Sequence, residues 1–323
     1  DPDFDGDSIM WKNDPDDQDI FGSRLDMGAY PAFGTSDIEP PNISSVTHSE
    51  GVWVSNNDPE FTLSGVEDAS GYLYIFDQDS LTIPTYSTGT QTGDSTIAFS
   101  DVSDGTWYLH IRSIDSGGLI SVESSHYQVN IDTYAPAPII SSLSHPNEGE
   151  SYPEITGIFV WTAEDEYSGI IGVLYALDQD ENTVPENFAD SDTLTFEALL
   201  DGVNYFHLQV VDAAGNESEV SHFSININTP PQVTVTEPAE SSSYDEDVLI
   251  SFEIQDVLGD SVDLQVFYSL DQGAEWVATA SITGDVSDLP QENYSSSVTW
   301  NSYSDIPNLE QDSVLVSVIP YDG

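Results

Sequence analysis

The chain has 323 residues, enough for two to four domains, and carries 59 acidic side chains against three basic ones, Lys12, Arg24 and Arg112, for a formal net charge of -56. Such a surface repels phosphate, so nucleic-acid binding and insertion into or docking on anionic membranes are excluded. Cysteine is absent, which removes disulfides, thiolate metal sites and cysteine nucleophiles together.

Self-repulsion on this scale calls for counter-ions. High ionic strength supplies them, with a Debye length of about 3 Å at 1 M salt, and so do divalent cations on carboxylates. Both conditions point to an extracellular, cell-surface protein of a marine or halophilic microbe. Hydrophobic residues make up 38% and aromatics 11%, too rich for a disordered acidic tail. No apolar stretch approaches the roughly 18 residues of a membrane span. The opening "DPDFDGDS" does not read as a signal peptide, and the chain is expected to be mature or cut from something longer.

Residues 1–36 form a leader of distinct composition. Asp1, Asp3, Asp5 and Gly6 have the spacing with which calcium loops place alternate carboxylates round one cation. The twelfth position is Lys12 rather than a bidentate Glu, so a complete EF-hand is ruled out. A looser structural calcium site using these acids with Asp7, Asp14, Asp16 and Asp17 is the expectation. The segment "FGSRLDMGAYPAF" (21–33) resembles the closing coil of right-handed parallel β-helix domains on exported proteins, which implies a solenoid upstream.

From there the chain reads as all-β. "TWYLHIRSI", "HYQVNI", "YFHLQVV", "HFSINI" and "SVLVSVI" are rich in aromatic and β-branched residues and are broken by turn formers at the short spacing of sandwiches. Proline clusters at "EPPN", "YAPAP" and "NTPPQ" read as stiff linkers. They divide the chain at 37–136, 137–231 and 232–323.

The first two of these units are near-copies, and every histidine follows the duplication. His48 in "ISSVTHSEG" matches His145 in "ISSLSHPNEG", His110 matches His207, and His126 matches His222. A repeat redefines what a lone residue means, so His110 and His207 are read as packed, hydrogen-bonded sheet residues. By alternation they share a face with Tyr108 and Tyr205, which are expected to point inward. Asp115 and Asp212 open Gly/Asn-rich hairpins. Asp132, after a strand, and the loop acids Glu67, Asp68, Glu164 and Asp165 are further cation candidates, set against a solvated acidic face.

On "SSVTHSEGVWVSNNDPEFTL", "YIFDQDSLTIP" and "DGTWYLHIRSIDSGG", with "FVWTAEDEYSGI", "YALDQDENTVP" and "DGVNYFHLQVVDAAGN" in the second copy, units one and two resemble tandem immunoglobulin-like or fibronectin type III-like modules of bacterial and archaeal surface proteins. The third is similar at greater distance, with "VFYSLDQGAEW" in place of the "DQ" segment. The resemblance implies three β-sandwiches. Aligning "SVLVSVIPYDG" with "YFHLQVVDAAG" leaves the third unit without its last strand, to be completed by further chain or by a neighbour's strand.

Catalytic signatures are missing: no GxSxG, HExxH, phosphate loop or GxGxxG occurs. The sequons at Asn42, Asn216 and Asn293 permit glycosylation without arguing for it. The expectation is therefore a non-enzymatic structural protein, a rod of modules in a surface layer, adhesin or filament. Its expected partners are copies of itself or other surface proteins, divalent cations and, through Trp53, Trp107 or Trp276, carbohydrate. The alternative is a set of accessory modules in a large secreted polysaccharide-degrading enzyme with an upstream β-helix.

Overall fold

The structure, a computed structural model, describes residues 35–239, 242–244, 246–307 and 313–322. The leader acids Asp1, Asp3, Asp5, Asp7, Asp14, Asp16 and Asp17 and the segment 21–33 lie outside the described residues. What is described is all-β apart from a 3-10 turn (Gln291–Asn293) and a single helical turn, α1 (Ser302–Asp305). The chain divides into two compact units. Unit one runs to Ala135 and includes Asp165–Ile170 and Asp212–Asn216; unit two is the remainder from Pro136.

Unit one contains β1 (Thr35–Ser36), β2 (Asn42–Ser44), β3 (Trp53–Val54), β4 (Glu60–Ser64), β5 (Ala69–Asp77), β6 (Thr90–Thr92), β7 (Thr96–Ala98), β8 (Gly105–Asp115), β9 (Ile120–Ser121) and β10 (Ser125–Ile131). One sheet is β2-β4-β7; the other centres on β8, which lies between β5 and β10. The chain switches sheets between β2, antiparallel to β4, and β3, parallel to β10. Period-2 alternation sets the core: Phe61 and Leu63 of β4, Leu109 and Ile111 of β8, and Val129 and Ile131 of β10 are all buried. Around Phe61, the rings of Phe76, Phe99 and Tyr127 pack at centroid distances of 5.6 to 6.2 Å, within the range of favourable aromatic pairs.

The phase of that alternation corrects one expectation. Leu109 and Ile111 face the core, so Tyr108 and His110 lie on the opposite face of β8. Tyr108 is only half-buried there. Tyr205 is likewise half-buried, while its neighbours Phe206 and Leu208 fill the second core. The tyrosine that ties the first module is Tyr127, whose hydroxyl donates to the His48 carbonyl at 2.7 Å.

The remaining strands are β11 (Ile139–Ser142), β12 (Ser151–Tyr152), β13 (Gly157–Thr162), β14 (Ile170–Asp178), β15 (Asn187–Ala189), β16 (Thr193–Phe196), β17 (Gly202–Asp212) and β18 (Ser221–Ile227). They pair as β11-β13-β16 and β12-β18-β17-β14-β15. This repeats the order β2-β4-β7 and β3-β10-β8-β5-β6, so the duplication seen in sequence is one of topology. Phe159 stacks on Phe206 at 4.2 Å in the core.

Last come β19 (Gln232–Glu237), β20 (Asp247–Gln255), β21 (Asp263–Ser269), β22 (Val277–Ala278), β23 (Ile282–Thr283), β24 (Ser295–Asn301) and β25 (Leu315–Tyr321). They form β19-β20-β24-β23 and β22-β21-β25 around buried Trp300, which stacks on Tyr268 at 5.0 Å. Among the described residues β25 is paired only with β21, whereas β8 and β17 each lie between two strands.

Candidate functional site

Three carboxylates of unit one converge. Asp132 follows β10, Asp165 lies in the loop before β14, and Asp212 ends β17; their oxygens lie within 4.8 Å of one another. Asp132 is 1% exposed and Asp212 0%. Among the described residues, the side-chain and backbone groups that donate to them are neutral. Asp132 accepts from the Tyr134 and Ser168 amides at 3.3 and 3.0 Å. Asp165 accepts from the Tyr167 amide at 2.9 Å and the Ser168 hydroxyl at 3.3 Å. Asp212 accepts from the Asn216 backbone at 2.8 Å and its side-chain amide at 2.7 Å. That same amide donates to the Asp132 carbonyl at 2.7 Å.

Buried charge is normally paired. Arg112, the one Lys or Arg among the described residues, instead donates to the carbonyls of Pro84, Ser121 and Val122. The oxygen-only set of Asp132, Asp165 and Asp212 has the ligand chemistry of a hard divalent cation such as calcium. Of the loop acids singled out in the sequence, the structure brings together Asp132, Asp165 and the hairpin Asp212, and leaves Glu67, Asp68 and Glu164 exposed outside the group.

A second acidic group, Asp256, Asp260 and Asp322, lies in unit two. The Tyr294 hydroxyl is 3.0 Å from Asp256 Oδ2 and 2.5 Å from the Asp260 carbonyl. Burial and the neighbouring Asp256 push the Asp260 carboxyl up, and burial together with these acids drives the Tyr294 phenol well above its usual range. No spacing or motif marks this group, whose members are scattered between residues 256 and 322.

The histidines are built into the sheets and turns. His48 and His145 are wholly buried. Their Nε2 atoms meet the Asn56 and Glu154 carbonyls at 2.8 and 2.7 Å, and their Nδ1 atoms meet the hydroxyls of Thr47 and Ser144 at 2.9 and 2.7 Å. Burial lowers the basicity of His48 against the opposing pull of the Asn56 carbonyl. His110 and His207 are also wholly buried; each contacts an exposed histidine on the adjacent strand, His126 and His222. Burial lowers His126, and the neighbouring His110 adds to it. Burial and then His222 lower His207, partly offset by Asp178.

The recesses are shallow. One, of about 310 Å³, is walled by Glu148, Glu181, Asn182, Tyr205, His222 and Ser224. Of the three tryptophans considered for carbohydrate, Trp107 stacks on Phe76 at 5.2 Å and Trp53 is half-buried beside Tyr167; Trp276 is 43% exposed. Asn42 and Asn293 are exposed, but the Asn216 amide is committed to Asp132 and Asp212.

The class that this fold defines is a chain of β-sandwich modules. Among solved structures it is similar to the fibronectin(III)-like modules of Clostridium thermocellum CbhA, at 10% identity and a TM-score of 0.32, covering 63% of this chain and 100% of that one. It is also similar to a two-domain fibronectin type III segment of chicken tenascin, at 10% identity and a TM-score of 0.27, covering 58% and 99%. No family model matches the sequence, and no curated protein does. Among the described residues no helix is long and apolar enough to cross a membrane.

Proposed function

We propose that the chain is a non-catalytic structural protein of the extracellular space, serving a surface layer, adhesin or filament of a salt-adapted microbe. The observation that carries this reading is the use made of the duplicated side chains. His48 and His145 close the same turn in both modules with both ring nitrogens engaged, so these two histidines are committed to architecture, and His110 and His207 repeat one sheet position. The net charge of -56 keeps such modules soluble in salt and attracts divalent cations. Copies of the chain or other surface proteins are the natural partners of an assembly of this kind, with exposed Trp276 available to carbohydrate.

Calcium completes the reading, at Asp132, Asp165 and Asp212. Two wholly buried carboxylates and a third half-buried one, with only neutral donors, are a costly arrangement that a bound dication relieves. Thermal melting with 2 mM calcium and then with chelator, at constant ionic strength, tests this. A stabilisation of about 2.7 kcal/mol is expected at a hundredfold excess over Kd, and an unchanged midpoint removes calcium from the function.

A further inference from the structure

We propose that each cross-strand histidine pair, His110–His126 and His207–His222, is a two-imidazole site for a borderline divalent transition metal such as zinc. This rests on nitrogen geometry and is independent of the calcium reading.

The partners stand directly opposite one another in antiparallel register. Their Nδ1 atoms approach to 2.6 Å in the first copy and 2.7 Å in the second, with rings crossed at 77° and 88°. A contact between two such nitrogens holds one hydrogen only, since a neutral imidazole has one donor and one acceptor. His110 Nε2 meets the Asp79 carbonyl at 2.9 Å, and a carbonyl can only accept. His110 is therefore the Nε2–H tautomer when neutral, its Nδ1 is a lone pair, and the shared hydrogen belongs to His126 Nδ1.

In the first copy this is a buried imidazole whose far N–H is held by an oxygen, leaving the near nitrogen free, the arrangement that orients histidine ligands of metals; in the second copy His207 Nε2 has no hydrogen-bond partner among the described residues. Asp77 Oδ1, 3.4 Å from His110 Nε2, and Asp178 Oδ1, 3.5 Å from His207 Nε2, add a carboxylate behind each buried ring. The outer member of each pair, His126 or His222, is exposed and can swing. Zinc–nitrogen bonds of about 2.0–2.1 Å at a tetrahedral angle separate two ligand nitrogens by roughly 3.3 Å. The pairs thus have to open by about 0.6 Å, a movement for the exposed ring alone. Water fills the remaining positions. In the second copy Glu148 and Glu181 wall the recess beside His222 and offer carboxylate oxygen. Imidazole nitrogen selects zinc, nickel or copper over calcium, so these sites are chemically distinct from the acidic groups.

The proton balance is definite. When the pair is neutral, zinc takes both Nδ1 lone pairs, the hydrogen of His126 moves to its solvent-facing Nε2, and none is released. When the pair holds an extra proton, one proton leaves per zinc bound. The groups facing the first pair are Asp77 and Tyr108. Those facing the second are Asp178, Tyr205, Glu148 and Glu181.

Zinc titration by calorimetry on the full chain at pH 7.5, with excess calcium to occupy carboxylates, tests the proposal. Two equivalents are expected, with His126→Gln and His222→Gln each removing one and the double variant removing both. Because both residues are exposed, melting should show the variants folded. At pH 5.5 the affinity should fall about tenfold or more, with proton release visible as a dependence on buffer ionisation heat. A parent chain with no saturable zinc binding, or a double variant that binds as much as the parent, would overturn the proposal and leave proton sharing as the whole role of these pairs.

Discussion

The hairpins at 115–119 and 212–216 occupy the same place in the two copies, yet among the described residues only the second belongs to a candidate cation site. In both, an aspartate ties the turn: Asp115 Oδ1 accepts from the Gly117 and Leu119 amides at 2.8 and 2.9 Å, and Asp212 Oδ1 accepts from the Asn216 amide at 2.8 Å. In both, a glycine with positive φ, Gly118 at 80° and Gly215 at 88°, turns the backbone where a side chain would strain it. They differ in what surrounds them. Leu119 stands where Asn216 uses its amide to hold the Asp132 carbonyl, Thr35 stands where the second copy has Asp132, and Asp68 is exposed where its counterpart Asp165 is half-buried. The repeated residues build the module; Asp132 and Asn216, which the first copy replaces by Thr35 and Leu119, set the second copy's hairpin apart.

The largest expected effects test the repeated half of that contrast. His48→Ala and His145→Ala each take the ring donor from the Asn56 or Glu154 carbonyl and empty the space of a wholly buried side chain, at a cost of about 2–4 kcal/mol. Melting should show losses of similar size for the two, since their surroundings match; a large loss in one copy with none in the other would break the equivalence.

Next come the acids of the candidate cation group. Removing calcium should lower the parent midpoint by about 5–10 °C. Asp165→Asn should abolish that difference, and Asp68→Asn should preserve it. In chelator Asp165→Asn should match or exceed the parent, because one of three crowded negative charges is gone. A variant that is less stable than the parent only in chelator would reverse the assignment.

The smallest effect is that of pH. His48, His126 and His207 are held below the ordinary value of 6.5 in the folded chain, so the unfolded chain binds more protons as acidity rises. Stability present above pH 6.5 is therefore lost as pH falls below it towards the folded values. Most carboxylates discharge only near pH 4, so a fall in midpoint of about 1–3 °C between pH 7 and 5.5 reports on histidine. A rise over that interval would contradict the burial of these rings.

The all-β fold and the duplication that carries the histidines were legible because strand period and repeat survive in a single sequence; the cross-strand meeting of His110 with His126 and His207 with His222 was not. Nor was the phase. "YLHI" places apolar residues at both Leu109 and Ile111 beside a large aromatic, Tyr108, and size alone suggested that the tyrosine faced inward; the core took the aliphatic set instead. Asp132, Asp165 and Asp212 were each visible as a strand-end, loop or hairpin acid, but nothing in a chain with 59 acids marks which three meet. Comparison of the copies singles out only Asp132, which Thr35 replaces in the first copy, because Asp165 and Asp212 are matched by Asp68 and Asp115.

Terbium luminescence addresses the cation group directly. Tyr167, whose amide bonds to Asp165 and whose ring lies 6.3 Å from that of Trp53, is placed to sensitise a lanthanide held by Asp132, Asp165 and Asp212. Excitation of the aromatic rings should give saturable terbium emission that millimolar calcium displaces and that Asp165→Asn removes. Emission of equal strength in that variant, or none in the parent chain, would show that the three buried acids do not hold a cation.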